Sequence, residues 1–434
     1  MKQKTLLNKS NIKQTLLNMT FILFLLLLLY RLTKQIFVTY SYESWEITEY
    51  LINYQSGFVR RGLLGEILFF FVRNFNINIE WTLKIICLIC LVAVCTFFVR
   101  FFLKKGYSLY ILPLCFFLGT HILNGCYWMK RDHIMFLFFI AAFWALNKIN
   151  KSTIKFIVVN TLVVIALLIH ESFAFFALPI LFLLFVNEFR SKGFLQSVTL
   201  AFVFLLPSIS AFLLSLYYHG DMKIAQTIWD SWVSVANMNP AELNESSHGA
   251  LSSIGWTTEL AFNLHFGRNF LTNDMGVLSV FFWSIIIPTV YYIVTNVLLV
   301  FRKDESIFTI NDKTILSSVL VFQLVCLIPF FLVLSCDLGR IIFYWIASSF
   351  AIFLIIPKEK LEKIIPTFFI EYIERINKVL IFFLRPTKTI VALVMMFIGI
   401  PLVGFSFESA LGSSVVGNIM LMFSEFYDIL KEII

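Results

Sequence analysis

Arg60 and Arg61 stand side by side in "NYQSGFVRRGLLGEILFFFVRN" (residues 53–74), at the start of an apolar stretch. Guanidiniums stay charged at physiological pH and grip phosphate or carboxylate oxygens in pairs. If residues 60–73 are helical, Glu66 shares a stripe with Gly62, Phe69, Phe70 and Arg73. It is then not three or four residues from either arginine, and the pair has no local counter-ion. Gly57, Gly62 and Gly65 allow close backbone approach, and a glycine-rich turn into a helix N-terminus is itself an anion site. The spacing matches neither a Walker nor a Rossmann loop.

Three further groups could take part in the same chemistry. "WMKRDH" supplies Lys130, Arg131 and Asp132, "LLIHESF" supplies His170 and Glu171, and "LSCDLGR" supplies Asp337 and Arg340. The cations suit a phosphate or pyrophosphate leaving group. Asp132, His170, Glu171 or Asp337 could take the proton of an acceptor hydroxyl, or orient it. Each group also has a plainer reading. Basic residues at helix ends snorkel to headgroups, and Asp337 and Arg340, three residues apart, can form a local ion pair. His170 and Glu171 sit between two apolar runs with almost no linker, where an ionised side chain costs about 2.5–3.5 kcal/mol at depth. That cost makes them functional candidates.

The elements that must carry these residues are membrane helices. The 434 residues are 59% hydrophobic and only 14% charged, against roughly 25% charged in soluble domains. Mean hydropathy is +0.87. The composition predicts an all-α polytopic membrane protein forming one domain over residues 1–434. Its net charge of +8 reports topology and not nucleic-acid binding. Richness in Phe, Ile, Lys and Asn points to an AT-rich, bacterial genome.

A bilayer core of roughly 30 Å takes about 17–25 residues of helix. Spans are expected near 14–33, 82–103, 107–125, 154–170, 196–218, 276–301, 314–335, 339–356 and 388–406. Two shorter ones are expected near 133–147 and 173–187, and a last one near 413–430, which makes 11–12 transmembrane helices. The apolar N-terminal run lacks a small-residue cleavage site and reads as an uncleaved first span.

The segment 63–72 is too short to cross and reads as part of a re-entrant or interfacial helix near 58–73. With the N-terminus inside and this segment not crossing, roughly two thirds of the 34 Lys and Arg face the cytoplasm. Arg60 and Arg61 then lie outside, with the three other groups and a large extracytoplasmic loop near 219–275. An outside N-terminus with 63–72 crossing fits the charge count equally and puts Arg60 and Arg61 inside; the basic N-terminus favours the first arrangement.

The 219–275 loop is net acidic and carries Trp229, Trp232, Trp256, His219, His248 and His265. Aromatics beside carboxylates suit sugar faces; an interfacial aromatic belt is the simpler reading. No His spacing suggests a metal, and no metal or other cofactor is expected. The pair Cys87-x-x-Cys90 reads as small hydrophobes, while Cys126 and Cys336 could meet near the outer face.

"SGFVRRGLLGE" after the first span, "HE" between two spans and "DLGR" at a late helix start resemble bacterial polysaccharide polymerases of the O-antigen (Wzy) type. Size, composition, span number and one large loop are similar too. The resemblance implies an inner-membrane enzyme that joins undecaprenyl-pyrophosphate-linked oligosaccharide units at the periplasmic face. It also implies membrane lipids and a chain-length regulator protein as partners. Arg60, Arg61, Lys130, Arg131 and Arg340 would then bind pyrophosphate, and Asp132, His170, Glu171 and Asp337 would act on the acceptor.

One alternative is a multi-span glycosyltransferase using a lipid-phosphate sugar, a class with acidic residues in the first outer loop. "YSYESWEITEY" offers Glu43, Glu46 and Glu49, the last two on one helical face. Another is a flippase or transporter, for which an internal repeat is not found.

Overall fold

The computed structural model describes residues 2–123, 125–271, 276–301, 308–335, 337–401 and 407–433. Cys336 and Asp274 lie outside these, so the suggested meeting of Cys126 with Cys336 lies outside the described residues. Among the described residues every regular element is helical and none is a strand. The protein is an all-α polytopic membrane protein. Among the described residues seven helices are long and apolar enough to cross a bilayer, or eight if one bent pair counts as a span.

The chain opens with α1 (Lys2–Ile36), then places α2 (Trp45–Leu51) and α3 (Gly62–Phe75) before the next long helix, α4 (Ile79–Lys105). At 14 residues α3 is too short to cross, as its sequence suggests. After α4 come α5 (Thr120–Leu123), α6 (Asp132–Lys148), α7 (Ser152–Ile169), α8 (Phe173–Glu188) and α9 (Phe194–Tyr217). Next are α10 (Met222–Ala236), α11 (Gly249–Ser252), α12 (Thr258–Phe262) and α13 (Gly276–Val300), then α14 (Ile310–Pro329), α15 (Leu338–Ile355) and α16 (Lys358–Ile364). The chain closes with α17 (Thr367–Phe383), α18 (Lys388–Phe397), α19 (Phe407–Gly412) and α20 (Val415–Ile433). Helix α15 is the central one, because every one of its residues is buried.

Two expected spans are built differently. Residues 107–125 are not one helix: they hold a 3₁₀ turn at Leu109–Ile111, further turns and the single turn of α5. The segment still runs the length of α1. Gln14 donates to the Tyr110 hydroxyl at 2.7 Å near one end, and Gln35 donates to the Ile122 carbonyl at 3.1 Å near the other. Irregular backbone survives at membrane depth only inside protein, and Leu114, Phe116 and Phe117 are fully buried. The span expected near 388–406 is cut short, since α18 ends at Phe397 and meets α17 at 91°.

Residues 219–271 form a folded cap and not an open loop. Asp221 caps α10 by accepting from the Ile224 N–H at 2.7 Å. Helix α10 packs on α2 and α3: Trp232 donates to the Leu51 carbonyl at 2.7 Å and meets Phe69 edge-on at 5.0 Å. Trp229 and Trp232 are therefore core residues, which corrects their expected availability to sugars. Large aromatic surfaces contribute most when buried. Of the three tryptophans only Trp256 keeps partial exposure, 6.1 Å from Trp45.

Candidate functional site

The four polar groups of the sequence converge at one end of the bundle. That end is formed by the C-termini of α7 and α9 and the N-termini of α6, α8 and α15, with α2 and α3 laid across it. Arg60 N–H donates to the Tyr218 carbonyl at 2.9 Å, and Arg131 Nη1 donates to the carbonyls of Arg61 and Ile169 at 3.1 and 3.0 Å. Arg131 thus ties the start of α6 to the end of α7 and the start of α3.

The arginine pair does not lack a counter-ion, and that expectation is corrected. Arg61 donates from Nε to Glu171 Oε2 at 2.8 Å and also pairs with Oε1 through Nη2. Arg60 Nη1 lies 3.5 Å from the same carboxylate. The partner stands 110 residues away, beyond any local spacing rule. Glu66 is indeed elsewhere: it accepts from the Tyr54 N–H at 2.9 Å and from Gln55. Arg61 adopts φ 65° as the N-cap of α3, a left-handed conformation that is costly for a non-glycine residue. The ion pair to Glu171 holds it there.

Deeper in the same end, Arg340 is the hub. Its guanidinium grips Asp132 in two places, Nε to Oδ2 at 2.8 Å and Nη2 to Oδ1 at 2.5 Å. A third nitrogen donates to Asp337 at 3.0 Å, so the local i,i+3 pair exists as well. Tyr127 donates to the other Asp337 oxygen at 2.8 Å. Asp132, fully buried, also receives the Tyr344 hydroxyl and lies 2.8 Å from His121 Nε2. Both Asp132 oxygens are thereby occupied.

Glu49, on α2, sits where the cations meet. Arg131 Nε is 3.2 Å from one oxygen, Arg340 Nη2 is 3.9 Å from the same oxygen, and Lys130 is 3.6 Å from the other. Glu46 joins at 4.0 Å from Lys130. Burial alone would raise the Glu49 pKa, but Lys130, Arg131 and Arg340 outweigh it and hold it at about 2. Its Oε2 and the Nη2 of Arg131 are buried without a hydrogen-bond partner, although Lys130 lies 3.6 Å from that oxygen. Buried polar atoms without a hydrogen bond are rare, and these two belong to one ion-paired cluster.

The other candidates have structural partners. The ring Nδ1 of His170 accepts the Ser172 N–H at 3.1 Å, which fixes the turn into α8. Burial, and then the Arg61 charge, lower its pKa to about 3, so the ring is neutral. For Arg60, burial and the adjacent Arg61 charge lower the pKa to about 10. Among the described residues no group of three or more His, Cys, Asp or Glu is placed to hold a metal.

The sequence places Arg60, Arg61, Lys130, Arg131, Asp132, His170, Glu171, Asp337 and Arg340 in four groups, and the structure joins all four. It adds Glu49, which the sequence offers only within the alternative glycosyltransferase reading, as a first-loop carboxylate beside Glu43 and Glu46. Its i,i+3 spacing from Glu46 is the one available signal. Tyr127, His121 and Tyr344 carry no signal at all. No family model, curated protein or solved structure matches the chain.

The seat of α2 is narrow. A Cβ on Gly65 would stand 1.9 Å from the Ile52 carbonyl oxygen and 2.9 Å from that of Tyr50. Gly65→Ala is therefore expected to push α2, and Glu49 with it, off α3. The expected destabilisation is about 1–3 kcal/mol, read as a lowered melting temperature in detergent; an unchanged melting temperature would show that α2 adjusts freely.

Proposed function

We propose that the protein transfers a glycosyl group from a polyprenyl-linked phosphate donor to an acceptor hydroxyl, at the charged end of its helical bundle. The observation that carries this reading is the cluster itself. Arg60, Arg61, Lys130, Arg131 and Arg340 converge with Glu49 at the end of a membrane protein, where a lipid phosphate would enter from the bilayer. Arg60 and Arg61 are its most exposed cations, with side chains 23% and 19% accessible, and they meet the phosphate. The acceptor oxygen attacks the anomeric carbon as the bond from that carbon to the phosphate oxygen breaks. The phosphate leaves with the electron pair, stabilised by guanidiniums. Glu49 orients the acceptor and takes its proton. Glu171 balances Arg60 and Arg61, while Asp132 and Asp337 hold Arg340 in place.

Two donors fit. The resemblance to O-antigen polymerases implies an undecaprenyl-pyrophosphate-linked oligosaccharide, an inner-membrane location and a periplasmic active face. A polyprenyl monophosphate sugar is favoured by a specific observation: the first-loop carboxylates Glu46 and Glu49 lie inside the cluster and offset its cations. A nearly balanced site has less surplus positive charge for a doubly charged pyrophosphate than for a single phosphate.

Purified protein in nanodiscs, offered each donor with an acceptor oligosaccharide and no nucleotide sugar, is expected to extend the acceptor, read by mass spectrometry. The donor consumed tells the two readings apart. Movement of unmodified lipid across liposomes, with no extension from either donor, would make the protein a transporter and end the proposal.

A further inference from the structure

The turn Glu171–Ser172 leads directly into α8, whose outward face carries an apolar stripe away from the charged end. Phe175, Leu178, Phe182 and Val186 recur at helical spacing and are each partly exposed. Helices α9 and α14 flank this stripe. The Phe175 ring meets Phe212 of α9 at 5.8 Å and Phe330, just beyond α14, at 4.9 Å. Farther along, Ile180 and Leu183, on the flank of α8 beside the stripe, line a cavity of about 230 Å³ between α8, α14 and the linker from α16 to α17. Phe322 and Phe369 line it as well, and its one polar side chain, Ser318, donates its hydroxyl to the Thr314 carbonyl at 2.9 Å. The lining is thus apolar, and such cavities accept hydrocarbon in preference to water.

We propose that the isoprenoid tail of the donor lies along this stripe and that its distal part fills the cavity. The identity of the tail rests on the glycosyl-transfer reading above. The position of the tail follows from the succession of stripe and cavity down one helix, α8, below the charged end. Arg60 and Arg61 pair with Glu171 at the head of α8, so a phosphate held there hangs its chain down this helix. Leu183 lies about 18 Å below Glu171 at helical rise, within the bilayer core. A stripe one helix wide, walled on both sides, suits a single branched chain. Helix α17 contributes Phe369 to the cavity wall.

The test is photolabelling with undecaprenyl phosphate carrying a diazirine at the far end of its tail, followed by peptide mapping in nanodiscs. Label is expected on the segments containing Leu183, Phe322 and Phe369, and excess unlabelled undecaprenyl phosphate should remove it. Leu183→Trp and, separately, Ser318→Phe are expected to abolish this labelling. They should raise the KM for the undecaprenyl donor roughly tenfold while a geranyl-linked donor, whose tail ends above the cavity, is used as by wild type. Label scattered over the lipid-facing helices, or competed equally by phosphatidylglycerol, would overturn the tail site. Specific labelling without any glycosyl transfer would keep the site and remove the reading of the reaction. Transfer without label in the cavity would do the reverse.

Discussion

Arg340→Ala is expected to lower stability by about 3–5 kcal/mol and to abolish activity. The large cost follows from what remains behind. Asp132 is fully buried and Glu49 nearly so, and Arg340 contacts both carboxylates as well as Asp337. Removing one partner of a buried ion pair strands a charge in a poorly polarisable interior, which costs about 3–5 kcal/mol. Arg340→Lys keeps the charge but offers a single ammonium where a planar fork bridges two Asp132 oxygens, so only partial recovery is expected. Pairing Arg340→Leu with Asp132→Leu should restore stability well above that of Arg340→Leu alone, because neither charge is then stranded. Thermal unfolding followed by tryptophan fluorescence in detergent gives all these values. A double variant no more stable than Arg340→Leu would show that the cost lies in packing and not in the ion pair.

The same residues show how far the sequence could be read. Hydropathy marks α1, α4, α7, α9, α13, α14 and α15 because a lipid-spanning helix must be apolar over its whole length. It also marks 107–125, wrongly as a helix, because apolarity reports burial and says nothing of how the backbone hydrogen bonds are closed. Pro113 and Gly119 were the available cues. At the site, charged residues at the ends of apolar runs stand out as costly, and all of the groups found that way do meet. Their pairing was not legible. Asp337 and Arg340 pair at i,i+3, within reach of a spacing rule, whereas Arg61 and Glu171 are 110 residues apart and Arg340 and Asp132 are 208 apart. Such pairs are set by how the helices pack, which a single sequence does not display. The tryptophans of the cap mislead for a related reason: an aromatic in a loop looks available until α10 folds it onto α2 and α3.

Glu49→Gln distinguishes a carboxylate that acts on the acceptor from one that only balances charge. If Glu49 takes the acceptor proton, kcat is expected to fall roughly 10²- to 10⁴-fold. Donor binding should not weaken, and should tighten, because Lys130, Arg131 and Arg340 lose a competing anion. A counter-ion role alone predicts a stability loss with both binding and turnover impaired together. The pH dependence supplies a second measure. The Glu49 pKa is lowered from 4.5 to about 2 in the folded protein, so the folded state binds its proton less readily than the unfolded chain. The stability it contributes is complete above pH 4.5 and is lost as pH falls toward 2. Wild type should therefore lose stability more steeply across that window than Glu49→Gln, which has no proton to gain at this position. Parallel acid-unfolding curves for the two proteins would place Glu49 outside the cationic cluster's influence and remove it from the mechanism.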